Sequence, residues 1–112
     1  MRVVFPADPA RAGRVHPDFL EESTAAAAEG VASAIVDLVA LSAGDLAGAV
    51  TRVRPSAGEK AVWRGAPLDS AQARALAAAL EAKGLTLTAE TESIPPARDL
   101  RAFFRALRTS LG

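Results

Sequence analysis

Short apolar runs alternate along this chain with stretches in which apolar residues recur every three or four positions. "RVVF" (residues 2–5) reads as a buried strand, stopped by Pro6. Residues 6–16, "PADPARAGRVH", hold two prolines and a glycine and read as a loop. Pro17 suits the first turn of a helix, where its missing N–H costs nothing. Asp18, Glu21 and Glu22 suit the positive end of the helix dipole. This helix runs to about Glu29 and stops at Gly30, with Phe19, Ser23, Ala26 and Ala27 on one face.

"VASAIVDL" (31–38) gives a second strand, centred on Ala34, Ile35 and Val36 and closed by Asp37. Residues 39–60 have the weakest pattern, with a short helix near Asp45–Val50 and then a turn-rich connection. "AVWRG" (61–65) is a third strand. A second long helix follows, with Asp69 and Gln72 spaced as a capping box and Leu76, Leu80, Ala73 and Ala77 on its apolar face. Gly84 ends it. "LTLT" (85–88) alternates with period two, as a fourth strand does. From Pro96 a third helix places Leu100, Phe103, Phe104, Leu107 and Leu111 on one side.

Strands and helices in alternation predict an α/β domain with right-handed crossovers. We expect a small Rossmann-like three-layer domain. Its sheet is mostly parallel, with about four strands in the order 2-1-3-4 and helices on both faces. Residues 1–95 form this unit. Residues 96–112 form an amphipathic helix that packs on the same domain or on a partner.

Composition narrows the picture. The chain has 112 residues, the size of one domain, and half of them are apolar. Alanine supplies 27 of the apolar residues, so the core rests on nine valines, twelve leucines, two isoleucines, four phenylalanines and Trp63. Net charge is zero, so no global charge steers the chain to nucleic acid or an anionic membrane. No cysteine and one histidine exclude disulfides, thiolate sites and multi-histidine metal sites. No apolar run approaches the roughly 18 residues of a membrane span, and the start lacks a signal-peptide pattern. These features predict a cytoplasmic protein.

In an open parallel sheet, ligands bind beyond the carboxyl ends of the strands. That rule selects Asp8, Asp37, Arg64, Gly65, Glu90 and Glu92. Asp8 is a turn residue or a ligand group. Asp37 occupies the place of a ribose-binding acid, yet no glycine fingerprint follows the first strand. Arg64 suits a carboxylate or phosphate, or else pairs with a neighbouring acid. Gly65 allows a sharp turn or a close backbone approach. Trp63 reads as a packing anchor, His16 as the residue leading into the first helix, and Glu90 and Glu92 as solvated. The arginines at 98, 101, 105 and 108 lie opposite the Phe/Leu face and read as the solvated side of a docked helix, or as a partner surface.

In order along residues 1–94, "MRVVFPADP", "VHPDFLEE", "AIVDLVALSAGDLAGAVTRV", "AVWRG" and "KGLTLTAETESI" resemble the N-terminal, Rossmann-like pre-ATP-grasp domain of a bacterial ATP-grasp family. The resemblance implies service to a ligase that uses ATP and Mg²⁺ to activate a carboxylate as an acyl phosphate for attack by an amine. The ATP and metal residues would lie in a later domain, so this chain itself needs no cofactor. Asp8, Arg64 and Gly65 match positions that would face a small carboxylate substrate. The residues after Arg64-Gly65 (Ala66-Pro67-Leu68) and after the fourth strand (Glu90-Thr91-Glu92) depart from the family pattern.

Two functions follow as expectations. One is a pre-ATP-grasp-like domain, a substrate-binding or structural part of a carboxylate–amine ligase and not catalytic alone. The other is a non-enzymatic interaction module that meets a protein partner or a second copy through Phe103, Phe104 and Leu107.

Overall fold

Val3, Val4 and Phe5 are all fully buried, although successive strand residues point to opposite faces. Their strand is therefore covered on both sides, which is why it reads as an unbroken apolar run. The structure, a computed structural model, describes residues 1–88 and 100–111.

Strand β1 (Arg2–Asp8) is followed by β2 (Arg11–Val15), a 3₁₀ turn at Pro17–Phe19 and helix α1 (Leu20–Ala28). Next come β3 (Ser33–Val36), α2 (Leu38–Ser42), α3 (Leu46–Ala49), β4 (Glu59–Trp63), α4 (Ser70–Glu81), β5 (Leu85–Thr88) and α5 (Leu100–Leu111). β1 pairs in parallel with both β3 and β4, and β4 pairs in parallel with β5. The order β3-β1-β4-β5 is the 2-1-3-4 arrangement expected from the alternation of elements.

Two apolar clusters flank the sheet. Val4, Ala34, Val36 and Ala61 pack against Leu41, Ala49, Leu76, Ala79 and Leu80 of α2, α3 and α4. Val3, Phe5 and Val62 pack against Ala25 and Ala26 of α1 and Phe103, Phe104 and Leu107 of α5. The step from β1 to β3 and the step from β4 to β5 run in opposite directions with helices on opposite faces. Both crossovers thus have one hand, as the connection rule demands.

The loop expected over residues 6–16 is corrected by the structure. β1 continues through Pro6 to Asp8 and turns into the antiparallel strand β2, making the sheet mixed. Proline is tolerated inside β1 because only its carbonyl is needed: Pro6 O accepts from the His16 amide at 2.8 Å. α2 is a second departure, since its five residues are too few for a helical period to register.

The helix ends follow from local chemistry. Asp69 and Gln72 form the expected capping box on α4. Gly30, with φ of 70°, closes α1: its amide donates to Ala27 O, and the Val31 amide donates to Ala26 O. That pair of bonds is a Schellman motif.

Candidate functional site

The carboxyl ends of β1, β3 and β4 lie along one edge of the sheet. Connections leave β1 toward β3 and leave β4 toward β5, so the topological switch point lies between β1 and β4. Rossmann-like sheets take ligands at such a point.

Here main chain occupies the β1 side of that crevice. Val4 O accepts from the Arg64 amide at 2.9 Å, and Pro6 O accepts from the His16 amide at 2.8 Å. Carbonyls two residues apart on a strand face the same edge. The return arm of the hairpin therefore takes over the edge of β1 that β4 leaves.

Arg64 turns back onto its own domain. Its Nε donates to Glu22 Oε2 at 3.0 Å and its Nη2 to Glu22 Oε1 at 2.8 Å, a two-pronged fork. The guanidinium also lies over the Phe103 ring, 4.7 Å from the centroid. Of the two sequence readings, pairing with a neighbouring acid is the one the geometry holds. Gly65 has a steric reason: a Cβ there would run into the Trp63 ring. The indole bends over the turn and donates from Nε1 to Ala66 O at 2.9 Å. Trp63 is thus the corner brace between β4 and the approach to α4.

The acidic candidates hold turns. Asp8 Oδ1 accepts from the Ala10 amide at 2.9 Å and fixes the hairpin turn. Asp37 Oδ1 accepts from the Val39 and Ala40 amides and caps α2, which replaces the ribose-acid reading of that residue. Asp45 caps α3 in the same way through Gly48. His16 Nδ1 accepts from the Asp18 amide at 3.1 Å, so it caps the 3₁₀ turn. A depression of about 370 Å³ between α2 and α4 is lined by Leu41, Ser42, Gly44, Asp69, Gln72 and Ala75. Its Asp69 and Gln72 side chains are bound to each other's backbone in the capping box. Among the described residues no three metal-ligating side chains converge, and no helix is long and apolar enough to cross a membrane.

Phe103, Phe104 and Leu107, the residues proposed from sequence for a partner, are buried in the chain's own second cluster. The reason is that α1 presents only alanines to this face of the sheet, which leaves room for large rings from α5. Glu90 and Glu92 lie outside the described residues.

The arginines on the other side of α5 are not merely solvated. Arg101 Nε and Arg105 Nη2 donate to Glu29 Oε1 at 3.2 and 2.9 Å, and Arg108 Nη1 donates to the Glu29 carbonyl at 2.7 Å. The hydrogen bond from Arg105 leads in holding the Glu29 carboxyl below its ordinary value. Burial opposes it, and the charges of Arg105 and Arg101 add to it. At the amino-terminal end of the sheet, burial pushes Glu59 up. Hydrogen bonds from Arg2 and Ser56 and the charges of Arg2 and the amino terminus outweigh it, so the carboxyl lies below the usual range.

Sequence reasoning missed Glu22 and Glu29. The signal was present, because positions 22, 25, 26 and 29 share one helical face. The two glutamates flank the alanines that α1 buries, and each finds arginine.

Comparison of the chain with protein-family models, curated proteins and solved structures finds no match.

Proposed function

We propose that this chain acts as a non-catalytic, ligand-facing Rossmann-like domain of the pre-ATP-grasp type that its sequence resembles. In this reading it serves an ATP-dependent carboxylate–amine ligase whose ATP and Mg²⁺ residues belong to a separate domain. The observation that supports it is the hairpin that occupies the β1 edge at the switch point. A nucleotide-binding Rossmann domain keeps this crevice open beside a glycine-rich turn and a helix N-terminus that receive the pyrophosphate. Here the His16 amide bonds to Pro6 O in that place, and "PADPARAG" supplies one glycine. Nucleotide recognition therefore falls to another domain, and a small carboxylate meets this one at its outer edge.

The test compares ATP·Mg²⁺ with inorganic tripolyphosphate·Mg²⁺ by calorimetry on the 112-residue chain. The proposal expects ATP to bind no tighter than tripolyphosphate. A tenfold or greater preference for ATP reveals a nucleoside pocket and overturns it.

A further inference from the structure

Three arginine side chains near the carboxyl edge are held by no other group among the described residues. Asp8, Asp37, Asp45 and Asp69 are engaged by backbone amides, and Arg64 is engaged by Glu22. Arg11, Arg14 and Arg52 are exposed. Among the described residues none of these three side chains has a hydrogen bond, an ion pair or a ring contact. The chain as a whole is neutral, so this is not the by-product of a basic protein.

Arg52 lies beside the hairpin that carries Arg11 and Arg14. The pairing of β1 with β2 jumps from Asp8↔Arg11 to Ala7↔Val15. Ala12, Gly13 and Arg14 therefore stand opposite no residue of β1, and they form a bulge. Bulges re-aim side chains and are common beside ligand sites. Arg52, from the turn after α3, lies against this bulge: a Cβ at Gly13 would sit 3.5 Å from Arg52 Nε. Arg14 adjoins Gly13 in the chain, and Arg11 lies two residues before it. Like charges on these neighbouring segments repel one another, and an anion bound between Arg52 and the hairpin lowers that repulsion. Guanidinium groups match the planar oxygens of carboxylate and the tetrahedral oxygens of phosphate.

We propose that the bulged hairpin and Arg52 form a binding site for a small anion of two or more negative charges, a polycarboxylate or a phosphate. The site deepens the reading of this chain as a ligand-facing domain and rests on it. It supplies the anion-recognising group that the sequence had assigned to Arg64.

The test titrates inorganic phosphate and, separately, citrate into the ¹⁵N-labelled chain at fixed ionic strength, following backbone amides by NMR. The expected result is saturable shifts centred on Gly13 and Arg52. Arg52→Ala or Arg11→Ala weakens the affinity at least fivefold, while Arg74→Ala, an exposed arginine on α4, leaves it unchanged. Whichever of phosphate and citrate binds tighter identifies the chemical source. Shifts that rise without saturating for both probes, or an affinity equal in the Arg52→Ala and Arg74→Ala variants, overturn the site. Such a failure leaves the ligand-facing reading intact. A nucleoside preference in the ATP comparison removes that reading instead.

Discussion

The Arg64 guanidinium lies 4.7 Å from the centre of the Phe103 ring while its fork grips Glu22. One side chain thereby joins the end of β4 to α1 and to α5. The pair is partly sheltered, with side-chain exposures of 31% for Arg64 and 20% for Glu22. Arg64→Lys keeps the charge but loses the fork and the flat stacking surface, and is expected to cost about 1 kcal/mol. Arg64→Ala is expected to cost about 2 kcal/mol. Urea unfolding followed by Trp63 fluorescence measures both. Midpoints equal to wild type would contradict the structural role.

Burial of Phe104 and Leu107 makes α5 part of the domain's own core. Leu107→Ala removes a fully buried side chain and is expected to cost about 3 kcal/mol. The melting temperature of a domain this size should fall by roughly 10 °C or more. A variant that melts within a degree or two of wild type would mean that α5 is not docked on its own sheet.

Two glycines separate backbone strain from collision. Gly44 and Gly84 both have φ near +80°, but only at Gly84 would a Cβ meet main chain, the Ser56 carbonyl. Gly44→Ala should cost about 1 kcal/mol from the left-handed conformation alone. Gly84→Ala should cost at least about 2 kcal/mol more, because the 56–59 segment is bonded to Lys83 O and Gly84 O and cannot easily retreat. Equal destabilisation of the two variants in a thermal melt would contradict this packing.

Acid should loosen α5. The Glu29 carboxyl titrates below its ordinary value of 4.5 in the folded chain. Its contribution is therefore fully present above 4.5 and is lost as pH falls through the lower folded value. Glu29→Gln should be less stable than wild type at pH 7, and the gap between the two should narrow as pH falls below that range. Denaturant melts from pH 7 to pH 3 give the difference curve. A gap that is constant across this range would contradict the Arg101–Glu29–Arg105 clamp.

The layout of the fold was legible in the sequence because its strong elements are long or well capped. Asp69 with Gln72, Gly30 and the Phe103/Phe104/Leu107 stripe each announced a helix, and β1 announced itself as a two-sided strand. The hairpin was not legible, because Pro6 and Pro9 are ordinary loop signals. What decides otherwise is a carbonyl that finds the His16 amide, and no local pattern encodes that. The site was harder still. Arg64 stands where a ligand-binding arginine stands, and only the fold reveals Glu22, 42 residues away, beneath it. Arg52 carried no sequence signal, since its closeness to Gly13 exists only in three dimensions.

The most direct test of this account sets Arg64 against Arg52 in one crossed experiment. Stability in urea and affinity for phosphate and citrate are measured on wild type, Arg64→Lys and Arg52→Lys. Arg64→Lys is expected to lower stability and leave the affinity for the tighter-binding anion unchanged, whereas Arg52→Lys is expected to weaken that affinity and leave stability unchanged. The opposite crossing, with anion affinity lost at Arg64 and stability lost at Arg52, would contradict it and return the ligand to the end of β4.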